Sequence, residues 1–74
     1  MNEAAAPTIT IIANGQPRDI PAGSTIADLL HALQIAHKRV VAQLDGEIVL
    51  RETFDQTVLH EGSKLELITM VGGG

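Results

Sequence analysis

Two Asx-Gly pairs constrain the fold of this chain more than any other feature of its sequence. Asn14-Gly15 and Asp45-Gly46 each separate two short segments with an alternating apolar pattern. Asn or Asp followed by Gly tolerates the positive φ angles that a two-residue hairpin turn requires. The first pair therefore predicts strands at 8–13 and 16–20, and the second predicts strands at 40–44 and 47–49.

One amphipathic helix is predicted between the two hairpins. Ser24 or Thr25 supplies a hydroxyl for the free amide groups of a helix start, and Asp28 follows Thr25 at the spacing of a capping box. Apolar residues then recur at the i, i+3, i+4 and i+7 spacing that covers one face of a sheet. These residues are Ile26, Leu29, Leu30 and Leu33. We expect about two to three helical turns.

A last strand at 64–70 leads directly into Val71 and three glycines. Residues 50–59 show no clear period, although Phe54 and Leu59 are expected in the core. The order ββαβββ predicts an α+β fold, a mixed sheet of four to five strands with one helix packed across one face. We expect a flexible extension at 1–7, one domain at 8–71 and a flexible glycine tail at 72–74.

Composition and charge exclude several classes of function. The net charge of −4, with five basic residues, argues against nucleic acid as a partner, because phosphate neutralisation needs clustered Lys and Arg. The absence of Cys fits a reducing compartment and removes a thiol nucleophile. No apolar run is long enough for a signal peptide or a membrane span, so we expect a cytoplasmic protein with no membrane partner.

The three histidines do not predict a metal or catalytic site. His31, His37 and His60 lack the spacing of metal ligands, and no Ser or Cys nucleophile is placed beside them by sequence. We therefore expect surface histidines, no metal and no catalytic residue.

A set of motifs with characteristic spacing makes the chain resemble the ThiS family, the sulfur carrier proteins of thiamine biosynthesis. In chain order the motifs are Asn14-Gly15, Ser24-Thr25-Ile26 with Leu29-Leu30, Asp45-Gly46-Glu47-Ile48-Val49 with Arg51, Glu61-Gly62-Ser63, and Val71-Gly72-Gly73-Gly74. The resemblance covers residues 8–74. The chain departs from the family in its additional residues 1–7 and in Leu50, where a Pro is usual.

The resemblance implies a ubiquitin-like β-grasp fold, with the first and last strands parallel and adjacent at the centre of the sheet. It also implies a carrier cycle. An adenylating enzyme of the ubiquitin-activating type would use MgATP to convert the Gly74 carboxylate to an acyl adenylate. Sulfur from a cysteine desulfurase would then give a thiocarboxylate, which thiazole synthase would consume. The chain would be a cosubstrate rather than an enzyme and would bind no cofactor of its own.

The resemblance and the strand pattern together name the expected contact residues. Val71, Gly72 and Gly73 would enter the narrow channel of the enzyme, and the family position of Arg51 suggests contact with an enzyme partner. Alternation places Ile12, Ile68 and Met70 on the uncovered face of the sheet. If their strands are neighbours, these three residues form an exposed apolar docking cluster. The alternative is that residues 50–59 cover Ile68 and Met70 as a second small core.

Two other functions remain open at this point. The small sulfur-carrying subunit of molybdopterin synthase also ends in Gly-Gly, but its tail usually follows Phe-Pro-Pro, whereas Ile68-Thr69-Met70 precedes Val71 here. A protein modifier would instead join its glycine carboxylate to target lysines. Mass shifts on cellular proteins would distinguish a modifier from a free thiocarboxylate.

Gly73→Val is expected to abolish adenylation without changing the melting temperature. A Cβ at this position would meet the channel walls and remove backbone conformations that only glycine reaches at low cost. The measurements are ATP–pyrophosphate exchange with the adenylating enzyme and a thermal melt. Normal exchange by the variant would count against a tail that enters a narrow channel.

Overall fold

The computed structural model describes residues 7–70, and the predictions for 1–6 and 71–74 lie outside the described residues. Five strands and one α-helix follow one another in the predicted order. They are β1 Thr8–Ala13, β2 Gln16–Pro21, α1 Ile26–Ala32, β3 Val40–Leu44, β4 Glu47–Val49 and β5 Lys64–Thr69. Two short 3-10 helices, His37–Arg39 and Arg51–Thr53, lie in the connections.

The strands form one mixed sheet with β5 at its centre. Their order is β2-β1-β5-β3-β4. Strands β1 and β5 are parallel, as the resemblance implies, and every other neighbouring pair is antiparallel. Ile12 lies opposite Lys64, so β1 ends beside the first residues of β5. The rest of β5 therefore continues past the end of β1.

Both predicted hairpin turns are present. Asn14 and Gly15 have φ angles of 51° and 81°, and Asp45 and Gly46 have φ angles of 50° and 88°. Positive φ at both central residues is the signature of a type I′ turn, whose twist matches that of the flanking strands. The local sequence thus determines both hairpins.

Strand β2 forms one free edge of the sheet. The hairpin closes where Gln16 pairs with Ala13, so alternate residues from Gln16 onward hydrogen-bond to β1. Pro17 and Pro21 occupy the intervening positions, whose backbone groups face outward. Proline has no N–H and is therefore compatible only with this outward side of an edge strand.

Helix α1 begins at a capping box and covers one face of the sheet. The Thr25 hydroxyl accepts a hydrogen bond from the Asp28 N–H at 3.1 Å, and the Asp28 carboxylate accepts one from the Thr25 N–H at 3.0 Å. Thr25 rather than Ser24 is therefore the N-cap. The helix ends at Ala32, earlier than the apolar pattern indicated, and Leu33 becomes its half-buried C-cap.

The core lies between α1 and the sheet and contains one aromatic residue. Its side chains are Ile11, Ile20, Ile26, Leu29, Leu30, Val40, Ala42, Phe54, Leu59, Leu65 and Leu67. Phe54 and Leu59 are fully buried, as expected, although they lie in the irregular connection between β4 and β5. The connection thus closes the core beside the helix.

Thr25→Ala is expected to lower the free energy of unfolding by about 1 kcal/mol, because it leaves an N-terminal amide of α1 without its acceptor. In a domain of this size the melting temperature should fall by about 4–8 °C. Thr25→Ser keeps the hydroxyl and is the matched control, with a smaller decrease. Equal melting temperatures for Thr25→Ala and the unchanged protein would show that the capping box contributes little.

Candidate functional site

The last strand leads from the centre of the sheet to the predicted reactive tail. Beyond β5, the Met70 N–H donates a hydrogen bond to the carbonyl oxygen of Arg39 at 2.7 Å. The β3 side of the sheet therefore still pairs with the residue that adjoins Val71. Val71, Gly72, Gly73 and Gly74 themselves lie outside the described residues.

Alternate side chains of β5 have opposite environments. Leu65 and Leu67 are buried beneath α1, whereas Ile68 and Met70 are 59% and 50% exposed. These two exposed side chains belong to the face of the sheet opposite α1, which we call the outer face. The alternative that residues 50–59 bury them in a second core is therefore wrong.

Ile12 does not join Ile68 and Met70 in one cluster. It is half-buried on the outer face, but its neighbour on β5 is Lys64. Ile68 lies four residues further along β5, a distance of about 13 Å at the usual rise of a strand. The predicted three-residue cluster is wrong because the parallel register places Ile12 beside the opposite end of β5.

The exposed apolar surface extends instead towards β3 and β4. Val41 lies opposite Ile68, and Ile48 lies opposite Gln43, which neighbours Glu66 of β5. Cross-strand partners share a face of the sheet, so Val41 and Ile48 lie on the outer face. Ile48 is 60% exposed. We call the four apolar residues of this surface, Val41, Ile48, Ile68 and Met70, the outer patch.

Val41 and Ile48 were not predicted as part of an apolar surface, although the sequence contained a signal for each of them. Val41 alternates with the buried residues Val40 and Ala42, and Ile48 follows from the hairpin register. What was missing was the identity of the strands beside the second half of β5. Only the sheet order supplies it.

Arg51 is exposed at the start of a 3-10 helix that follows the edge strand β4. Its carbonyl oxygen accepts a hydrogen bond from the N–H of buried Phe54 at 3.1 Å. The core therefore fixes the Arg51 backbone while leaving its guanidinium in solvent. This position is compatible with a contact to a partner.

The three histidines have different surroundings. The His37 ring makes an edge-on contact with Phe54, with ring centroids 5.9 Å apart, whereas His31 and His60 are exposed. Across residues 7–70, no group of three or more His, Cys, Asp or Glu residues is arranged to hold a metal ion. In the same range, no helix has the length and apolar character needed to span a membrane.

Comparison with known proteins places these features in a family context. The sequence model of the ThiS family matches residues 11–74. The sulfur carrier protein ThiS of Bacillus subtilis is 34% identical over 50 residues, which cover 68% of this chain and 76% of that protein. The crystal structure of the thiamine biosynthesis protein ThiS from Geobacter metallireducens is similar with a TM-score of 0.75 and 32% identity. That match covers 89% of this chain and 100% of the solved chain.

A second kind of relative is much longer. The thiazole synthase of Paramagnetospirillum magneticum is 31% identical over 64 residues, which cover 86% of this chain but 20% of that protein. This chain thus spans about a fifth of the length of the thiazole synthases that it matches. The likeness to the solved structure, together with the observed strand order, confirms the expected ubiquitin-like β-grasp fold.

Ile68→Asp is expected to leave the protein folded, because the side chain is already in solvent and such substitutions cost about 1 kcal/mol or less. Leu67→Asp is the matched comparison on the buried face of the same strand, 8% exposed. It should unfold the protein, because a buried carboxylate without a partner costs several kcal/mol in a marginally stable domain. Circular dichroism melts measure both, and unfolding of Ile68→Asp would identify Ile68 as core.

Proposed function

Because this chain belongs to the ThiS family, we propose that it is a sulfur carrier of thiamine biosynthesis whose Gly74 carboxylate is the site of loading. The observation that carries the proposal is that the family match extends through the C-terminal glycines. The central strand ends five residues before Gly74, next to an exposed apolar surface. The chain would act as a protein cosubstrate and not as a catalyst.

The proposed loading begins with activation of an unreactive group. A carboxylate resists nucleophiles because attack would add negative charge to a group that is already anionic. Transfer of AMP from MgATP, with release of pyrophosphate, neutralises that charge and gives the acyl carbon a good leaving group. The adenylating enzyme would supply the ATP and Mg²⁺ sites.

Sulfur transfer then takes place at the same carbon. The terminal sulfur of a persulfide, supplied by a cysteine desulfurase, attacks the acyl adenylate and expels AMP. A thiol that cleaves the resulting acyl disulfide releases the C-terminal thiocarboxylate and is itself oxidised to a disulfide. This chain contains no Cys that would compete as a nucleophile.

We place docking of the adenylating enzyme on the outer patch, with Arg51 as an accessory contact. Ile68 and Met70 are exposed, Val41 lies beside Ile68, and exposed apolar surface of this kind on a small domain usually marks a partner site. The patch includes Met70, which adjoins Val71, so an enzyme bound there would receive the tail directly. Ile68→Asp, which is expected to remain folded, should lose this binding, and isothermal titration with the adenylating enzyme measures it.

Thiazole synthase is the proposed recipient of the sulfur. In the Paramagnetospirillum magneticum thiazole synthase, a region similar to this chain is part of one much longer polypeptide. Covalent linkage keeps two domains at high effective concentration. This arrangement supports a working partnership between the same kinds of domain when they are separate chains.

The test of the proposed function is a loading reaction followed by intact mass spectrometry. The chain is incubated with an adenylating enzyme, MgATP, a cysteine desulfurase and cysteine. A thiocarboxylate replaces one oxygen of the C-terminus by sulfur, and omission of ATP should prevent the change. Covalent attachment of the chain to lysines of other proteins, without any thiocarboxylate, would identify a protein modifier instead.

Extension of the chain by one alanine after Gly74 is expected to abolish loading, because each step is acyl transfer at the Gly74 carbon. The extension lies outside the folded strands, so the melting temperature should not change. ATP–pyrophosphate exchange and intact mass are the measurements. An extended chain that exchanged at the normal rate and acquired sulfur without being trimmed would overturn the assignment of Gly74.

A further inference from the structure

Asn14 makes an unusual pair of hydrogen bonds to the strand that bears the tail. Its carboxamide oxygen Oδ1 accepts from the Leu67 N–H at 2.7 Å, and its Nδ2 donates to the Leu67 carbonyl oxygen at 3.2 Å. The two residues are 53 positions apart in the chain. Among residues 7–70, Asn14 is the one residue that hydrogen-bonds to the β1-facing side of β5 after Leu65.

The carboxamide replaces two groups of an interrupted parallel ladder. The Ile12 N–H donates to Ser63, and the Asn14 N–H donates to Leu65, both through carbonyl oxygens. Evenly spaced bonds would next require a carbonyl at Asn14 for the Leu67 N–H and an N–H for the Leu67 carbonyl. The type I′ turn directs the backbone towards β2, so the side chain supplies both groups.

The second hairpin turn shows why this position holds an amide. Asp45 also begins a type I′ turn, and its Oδ1 accepts from the Lys64 N–H at 2.9 Å. Lys64 is the first residue of β5, and its N–H needs only an acceptor, which the Asp45 carboxylate supplies. Asn14 must accept and donate, which a carboxylate cannot do.

The Asn14 contact lies close to the start of the tail. Leu67 is three residues before Met70, and after Leu67 the described part of the chain pairs on the opposite side, with β3 at Ile68 and Thr69 and with Arg39 at Met70. A groove of about 330 Å³ adjoins Asn14, Leu67 and Thr69.

We propose that Asn14 is a positioning residue, whose carboxamide fixes the end of β5 so that the tail leaves the sheet in one direction. This inference rests on the proposed function, because it assigns a role in delivering the Gly74 carboxylate to the adenylating enzyme. Docking through the outer patch does not require Asn14. Loss of the carboxamide therefore reduces the fraction of docked chains whose tail is in the reacting position.

The test compares matched substitutions at the two turns. Asn14→Gly keeps a residue suited to positive φ and removes both bonds to Leu67, whereas Asp45→Gly makes the same kind of change at the other end of β5. With Asn14→Gly, kcat for adenylation should fall about tenfold, since small errors of placement are costly in the reacting step. The KM for the chain should change less than about twofold, which a purely structural loss of folded protein does not produce.

A second pair of variants tests the hydrogen-bond chemistry. Asn14→Asp retains the acceptor but loses the donor to the Leu67 carbonyl, so its kcat should also fall. Asp45→Asn retains the acceptor that Lys64 needs, so its kcat should match that of the unchanged protein. Native-state hydrogen exchange should show faster exchange of the Leu67 amide in Asn14→Gly and of the Lys64 amide in Asp45→Gly.

The outcomes separate this inference from the proposed function. If the unchanged protein is not adenylated, the proposed function and the role of Asn14 in tail delivery both fail. The rate of hydrogen exchange at the Leu67 amide then still decides whether Asn14 stabilises the end of β5. If the unchanged protein is adenylated, the positioning role is overturned by equal kcat values for Asn14→Gly and Asp45→Gly. Unchanged protection of the Leu67 amide in Asn14→Gly overturns it as well.

Discussion

The burial of one side of β5 beneath α1 is the interaction on which the rest of the molecule depends. Leu65 and Leu67 enter a core that the helix closes with Ile26, Leu29 and Leu30. A domain of this size buries only about 60% of its unfolded surface, and a single helix covers one face of the sheet. The same strand therefore anchors the fold with one set of side chains and presents Ile68 to solvent with the other, and Met70 is exposed just beyond its end.

Features that depend on residues close in sequence were predictable. The Asn14-Gly15 and Asp45-Gly46 turns, the capping box of Thr25 and Asp28, and the alternation of β5 all arise from interactions within a few residues. Each involves a backbone preference or a side chain that bonds to its own segment. The family resemblance then supplied one pairing that these local patterns leave open, the parallel contact of β1 with β5 at the centre of the sheet.

Features that depend on how distant segments meet were not predictable in the same way. The error over Ile12 arose because side-chain alternation gives the face of a residue but not its neighbour in a parallel pair. The bonds from Asn14 to Leu67 were hidden for the same reason. The sequence shows Asn14 as an ordinary turn residue. Its carboxamide can bond to Leu67 only because the register carries β5 past the end of β1.

The two prolines of β2 have a consequence for the molecule at high concentration. Along the outward side of that strand, Pro17 and Pro21 leave Asp19 as the one residue with an N–H to offer. A neighbouring copy would find an incomplete ladder and a negative charge there, so recruitment of further strands is disfavoured. The edge farthest from β4 is thus protected against aggregation.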